Sequence, residues 1–157
     1  MTETLTIDPP TRYFEDFPLG VRLTTRRRTV EMSDIMAFAS LTGDFYPLHI
    51  DAVGAGETRF GSRIAHGPLT FALAVGLVGL SNWYGDAIVA LKEITGLRAT
   101  APVLPGDTIH VEAEVEEVDG SRSAKFGTIS VRYNIVNQRG EQVMSFLQTM
   151  LAKKKPE

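Results

Sequence analysis

The feature that most restricts the fold is an apolar segment near the middle of the chain, from Leu69 to Leu80. Gly67 and Pro68 precede it, and proline is well tolerated in the first turn of a helix, where its missing N–H has no intrahelical partner. Because the segment is apolar around its whole circumference, a helix here must be enclosed on every side. It is also too short to span a bilayer. We therefore predict a buried helix that begins at Gly67.

The chain after Trp83 has the residue pattern of β-strands. In residues 108–118 apolar and polar side chains alternate, which is typical of a strand with one face on a core. The pairs Asp119–Gly120 and Arg139–Gly140 are turn signals. Four strands are predicted: 87–101, interrupted at Gly96, then 108–118, 125–136 and 142–152.

Before the central helix we predict one strand, at residues 21–30, and one helix. Ser33 is the expected N-cap of that helix, and Gly43 is its expected C-terminal breaker. A loop at Asp44–Asp51 follows, and then a short helical turn before Gly61.

This order of elements predicts an α+β fold in which an antiparallel sheet, joined largely by hairpins, wraps around a central buried helix. One sheet covers only one side of such a helix. The remaining apolar side predicts a partner, and a second copy of the chain is the simplest one, so a homodimer or higher homo-oligomer is expected.

Length and composition favour a single domain over residues 1–157, with a structured core at about 13–152 and loose tails at Met1–Pro10 and Lys153–Glu157. The net charge of −3 gives no general attraction to nucleic acid or to an acidic membrane. The absence of cysteine excludes disulfides and thiolate catalysis. Three histidines without HExxH spacing make a metal site unexpected. The first ten residues do not resemble a secretory signal, so a cytoplasmic location is expected.

The residues most suited to chemistry are Asp44 and His49, which lie five apart on a loop that Pro47 stiffens, with apolar Phe45 and Leu48 between them. A carboxylate and an imidazole in a dry loop can hold one water molecule and move its protons. The same residues also fit a purely structural role, since aspartate often supports turns and a single histidine is often a hydrogen-bonded core residue.

Gly67 is the second candidate, because it lies where the buried helix should begin. The first turn of a helix has free N–H groups and a partial positive charge, which suit an oxyanion. A plain helix start would have the same sequence.

Two motifs give the chain a resemblance to a known family: TGDFYPLH at Thr42–His49, followed by IAHG at Ile64–Gly67. Together with Pro102–Thr108, they resemble the MaoC-like dehydratases, which include the (R)-specific enoyl-CoA hydratases. The similarity extends over most of the chain, from about Tyr13 to Ala152. It implies a hotdog fold, in agreement with the enclosed helix.

The resemblance also implies roles for individual residues. Asp44 and His49 would bind the catalytic water, and Gly67 would donate its N–H to the thioester oxygen. Further residues of the motifs are expected to contact the substrate, namely Phe45, Tyr46, Ile64, Ala65 and His66. The family usually has asparagine where this chain has Tyr46, a departure that leaves the acid–base pair intact and alters the predicted acyl pocket.

The expected activity is therefore hydration of a 2-enoyl-CoA to an (R)-3-hydroxyacyl-CoA, or the reverse dehydration, without a metal or redox cofactor. Two alternatives remain open: a thioesterase on the same fold, and an acyl-CoA binding subunit without catalysis. Arg26–Arg28 could contact CoA phosphates, although charge protection of an exposed or edge strand is the commoner explanation of such a run. His110, on the polar face of its strand, is expected to be solvated.

Overall fold

The computed structural model describes residues 8–156 of the chain. Most of the tail Met1–Pro10 thus lies outside the described residues. A short 3₁₀ helix, Phe14–Asp16, comes first. The other elements are β1 (Arg22–Thr24), β2 (Arg28–Thr29), α1 (Met32–Thr42), α2 (Pro47–Ile50), α3 (Ala52–Gly56), α4 (Gly67–Leu80), β3 (Ile88–Ala99), β4 (Thr108–Asp119), β5 (Phe126–Asn137) and β6 (Gln142–Lys153).

The strands form one antiparallel sheet in the order β1-β4-β5-β6-β3, with β2 also paired to β4. Two connections, β4–β5 and β5–β6, are hairpins, as predicted. The β3–β4 connection is not, because β3 pairs with β6 at the far edge and the chain must cross the sheet before β4 begins. The register of β3 shifts around Gly96, where φ is +60°, and this irregularity accounts for the predicted interruption.

Helix α4 begins at Gly67, as predicted, and packs against one face of the sheet. Its buried residues include Leu69, Leu77 and Val78, and they share one core with strand residues such as Val131 and Phe146. Each large apolar side chain buried in this way contributes roughly 1.5–3 kcal/mol. The opposite side of α4 is exposed in the single chain, at Ala72, Gly76, Gly79 and Leu80. The helix is therefore enclosed on one side only.

The predicted strand at residues 21–30 is divided into β1 and β2 by Thr25. This buried threonine accepts a hydrogen bond from Val111 N–H through Oγ1 at 3.0 Å, while its own N–H donates to Val111 O at 2.9 Å. Because the Thr25 hydroxyl accepts the Val111 N–H in place of a backbone carbonyl, the regular backbone pairing of the two strands is interrupted at this point.

Helix α1 also differs from the prediction at its start, where Glu31 and not Ser33 is the N-cap. Asp34 explains the shift, since its carboxylate accepts the Glu31 N–H at 2.9 Å and also binds Arg28 at 2.7 Å. Gly43 ends the helix with φ +79°, in the left-handed conformation that glycine adopts at little cost.

Two expectations about exposed groups were wrong. The C-terminal residues are held in place as far as they are described, because β6 extends to Lys153, whose ammonium lies 2.8 Å from Asp86, and Lys154 N–H donates to Lys125 O. The side chain of His110 is only 14% exposed, with Nε2 at 3.5 Å from Glu112. Among the residues from 8 to 156, no helix has the length and hydropathy needed to cross a bilayer.

Candidate active site

The connection from α1 to α2 carries the predicted acid. Gly43 turns the chain out of α1, and Asp44 follows with its Oδ1 accepting the Tyr46 N–H at 3.3 Å. Pro47 then starts α2, which contains His49. The carboxylate of Asp44 is exposed in the single chain, so the expectation of a dry loop is not met by one copy of the chain alone.

His49 is half-buried, and its ring is oriented by the backbone. Its Nδ1 lies 2.7 Å from Ile64 O. Because a carbonyl oxygen only accepts hydrogen bonds, Nδ1 must carry the hydrogen, and in the neutral ring Nε2 then has the free lone pair. This tautomer leaves Nε2 available as a base.

His66 lies directly against His49. The two rings are stacked, with centroids 3.8 Å apart and an interplanar angle of 29°. His66 is buried, and its Nε2 lies 3.0 Å from Asp44 O. The residue therefore contacts both members of the predicted acid–base pair.

Asp44, His49 and His66 form one cluster, since one donor atom of each side chain lies within 4.8 Å of those of the other two. Such spacing suits a shared water and its protons, and it could also hold a metal ion. His49 Nδ1 and His66 Nε2 face carbonyl oxygens and carry hydrogens, so neither of these two atoms is available as a metal ligand.

A cleft of about 250 Å³ opens beside this cluster. Its wall contains His49, together with Gly67 and Thr70 from the first turn of α4. The N–H groups at the start of a helix have no intrahelical acceptor, so the backbone here can receive an oxyanion. The rest of the wall is mainly apolar, with Ile64, Ala65, the segment Ala99–Val103, Val143 and Met144.

The predicted substrate-contacting residues divide into three groups. Ile64 and Ala65 line the cleft, and backbone hydrogen bonds to Leu48 and Val103 hold them there. Phe45 and Tyr46 are exposed outside it, and Tyr46 lines a neighbouring depression. His66 is buried behind the wall and is 1% exposed.

Several residues of the cleft wall were not singled out by the sequence, among them Arg59, Phe60 and Thr70. Arg59 is exposed, and its guanidinium lies 4.8 Å from the centre of the Phe60 ring. Among the described side chains of the wall, Arg59 is the one with a permanent positive charge. No motif includes Arg59. Only the adjacent pair Arg59–Phe60, a charged residue beside an aromatic one, could have suggested a surface that binds a ligand with both charged and apolar parts.

Fold and site together define the class of protein: a hotdog domain with a candidate acid–base site. The model of the MaoC-like domain matches residues 16–137, and the chain belongs to this family. The resemblance inferred from the two motifs is thereby confirmed.

Curated relatives have similar sequences over part of the chain. Protein MaoC of Klebsiella aerogenes is 39% identical over 109 residues, which are 67% of this chain and 31% of that protein. The 3-hydroxybutyryl-CoA dehydratase of Methylorubrum extorquens is 36% identical over 68% of this chain and 65% of its own length. The (R)-specific enoyl-CoA hydratase of Aeromonas caviae is 34% identical over 45% of this chain and 66% of that enzyme. The chain thus spans from about a third to about two thirds of the length of these relatives.

Solved structures are similar over nearly the whole chain. A protein from Archaeoglobus fulgius, described as a monoamine oxidase regulatory protein, is 36% identical with a TM-score of 0.89, and the match covers 96% of this chain and 100% of the other. The (R)-hydratase of A. caviae is 26% identical with a TM-score of 0.71, over 89% and 98% of the two chains. A Mycobacterium tuberculosis protein with a double hotdog fold is 20% identical, with a TM-score of 0.81 over 93% of this chain and 45% of that one, and supports the fold alone.

Proposed function

We propose that the protein adds water across the C2=C3 bond of a trans-2-enoyl-CoA to give an (R)-3-hydroxyacyl-CoA, and catalyses the reverse dehydration. The observation that carries the proposal is the convergence of Asp44 and His49 beside a cleft that also contains the first residue of α4, Gly67. The names of the relatives from M. extorquens and A. caviae support the same chemistry.

In the proposed mechanism the thioester oxygen accepts a hydrogen bond from Gly67 N–H, which draws electrons from the double bond and makes C3 electrophilic. Asp44 and His49 Nε2 hold a water over C3. As the water oxygen bonds to C3, one member of the pair removes its proton, and the C2=C3 electron pair moves into an enolate. A proton then returns to C2. The reaction is balanced without a metal or redox cofactor.

The site is proposed to be completed by a second copy of the chain. Asp44, Phe45 and Tyr46 are exposed in the single chain, although water exclusion would favour the proposed chemistry. The exposed side of α4 and the free edge of β3, with exposed Leu91, are further surfaces that a homodimer could bury.

The test is to incubate the protein with crotonyl-CoA and to follow the loss of the conjugated enoyl thioester together with the release of free thiol. The proposal predicts (R)-3-hydroxybutyryl-CoA, no free CoA, and no loss of activity with a chelator. Stoichiometric release of CoA would identify a thioesterase instead. Tight binding without turnover on crotonyl-CoA and longer enoyl-CoAs would identify a binding subunit.

A further inference from the structure

His66 is the most deeply buried ionisable side chain near the cleft, and the proposed mechanism gives it no role. It is 1% exposed and absent from the cleft wall, so it does not touch a substrate there. Its ring nevertheless contacts both residues assigned to proton transfer, with Nε2 at Asp44 O and one face on the His49 ring. Phe38 packs against it, with ring centroids 5.0 Å apart.

The hydrogen-bond partner fixes the tautomer of His66. Asp44 O can only accept, so Nε2 carries the hydrogen. The other ring nitrogen, Nδ1, is buried without a partner among the described residues. A hydrogen placed on Nδ1 would be a buried donor without an acceptor, which is costly. The contacts therefore place a ring hydrogen on Nε2, where it is donated to the backbone of Asp44.

The main chain of His66 connects the same ring to the third part of the site. Its carbonyl accepts the Thr70 N–H at 3.0 Å and so forms the first hydrogen bond of α4. The next residue is Gly67, the proposed oxyanion donor. One residue thus contacts the acid through a hydrogen bond, contacts the base through stacking, and is covalently joined to the oxyanion donor.

We infer that His66 is a positioning residue, which sets the place of the Asp44 backbone and the plane of the His49 ring relative to Gly67. The inference rests on the proposed function. Catalytic groups must be held within about 0.5 Å of their productive geometry, and an error of about 1 Å can cost on the order of 100-fold in rate. Burial and stacking give His66 the rigidity that this task requires.

Three substitutions separate this role from that of an ordinary core histidine. His66→Gln places an amide N–H near the position of Nε2 and keeps the donor to Asp44 O. His66→Phe keeps an aromatic ring against His49 and removes the donor. His66→Asn keeps an amide but places it near the position of Nδ1.

Steady-state kinetics on an enoyl-CoA are the readout, with chemical unfolding to show that each variant is folded. We expect His66→Phe and His66→Asn to lose about 10- to 100-fold in kcat with KM little changed, because the acid is displaced while the cleft wall stays intact. His66→Gln should retain at least about ten times the kcat of His66→Phe. A folded His66→Phe variant as active as His66→Gln would overturn the inference, as would losses confined to KM.

Nitrogen-15 NMR of the His66 ring in the wild-type protein tests the contact independently of activity and of whether the variants fold. The inference requires the Nε2–H tautomer, and the Nδ1–H tautomer would refute it. If the wild-type protein does not hydrate any enoyl-CoA, the proposed function fails, while the tautomer still reports whether His66 holds the Asp44 backbone.

Discussion

At the scale of single residues, two substitutions of Gly67 can separate the role of its backbone N–H from the effect of an added side chain. A Cβ at this position would meet no atom within 4 Å, so Gly67→Ala should fold normally and keep the N–H. Gly67→Pro suits the first position of a helix but has no N–H to donate. We expect Gly67→Pro to lose about 100-fold or more in kcat, and Gly67→Ala to lose far less. Equal activities of the two folded variants would remove the Gly67 amide from the mechanism.

Arg59 is expected to contact an anionic group of the substrate, because it contributes a positive charge to a wall of uncharged side chains and His49. Arg59→Ala should raise KM by about 5- to 30-fold with kcat little changed, as expected for a contact that binds substrate and transition state equally. Arg122→Ala, which removes an arginine that is 83% exposed in the β4–β5 turn and outside the cleft wall, is the matched control. The effect of Arg59→Ala on KM can then be compared between crotonyl-CoA and the crotonyl thioester of N-acetylcysteamine, which has no phosphates. If Arg59→Ala raises KM equally for both substrates, the CoA phosphates are not the group that Arg59 contacts.

The sequence predicted Asp44, His49 and Gly67 as site residues because their spacing forms motifs, and short motifs depend on local chemistry. It did not reveal that Tyr46 lies outside the cleft or that His66 is buried behind its wall. These placements depend on the packing of α1, α2 and the start of α4 against one another. His66 and Asp44 are 22 residues apart, and no sequence periodicity encodes a contact over that separation.

At the scale of elements, a buried carboxylate joins the β3–β4 connection to the β5–β6 turn. Asp107 is 4% exposed and accepts hydrogen bonds from Gln138 Nε2 at 2.7 Å, Leu104 N–H at 2.9 Å and Arg139 at 3.0 Å. Burial alone would raise the pKa of Asp107, but these hydrogen bonds and the nearby positive charge outweigh burial and hold the pKa below its ordinary value.

Asp107→Asn should therefore destabilise the protein by about 1–3 kcal/mol at neutral pH, because an amide cannot accept all of these hydrogen bonds. A lowered pKa stabilises the folded state above the unfolded value of about 3.9, and this stabilisation is lost as the pH falls through the folded pKa. Urea unfolding at neutral pH and at about pH 3 should show the difference between the two proteins shrinking in acid. A difference that grows in acid would refute this account.

The periodicity of the sequence predicted the elements with strong patterns. Strand β4 and helix α4 both form where their patterns predict them, because burial of one face of a strand or helix leaves a direct trace in the sequence, although a single chain encloses α4 on one side only. The division at Thr25 and the cap at Glu31 were missed. Each is caused by a single side chain that accepts a backbone hydrogen bond, Thr25 from Val111 and Asp34 from Glu31.

At the scale of the whole molecule, the proposed homodimer explains why one chain exposes apolar residues at the edge of its sheet. Leu91 on β3 is 58% exposed. Leu91→Glu should shift the sedimentation of the protein from the dimer towards the monomer and reduce its activity, because a charge at a buried interface is unfavourable. Leu19→Glu replaces a leucine that is 65% exposed away from β3, and it is the matched control. A wild-type protein that sediments as a monomer at all concentrations would contradict the proposed assembly.

The central claim is that Asp44 and His49 act as a unit on one water molecule, and a double-mutant cycle on enoyl-CoA hydration tests it most directly. Asp44→Asn and His49→Gln keep the size of each side chain, and each should lower kcat by about 100-fold or more in a folded protein. Because residues that act together are strongly non-additive, the double variant should be little slower than the slower single variant. Fully multiplicative losses, or unchanged kcat in either single variant, would contradict the claim.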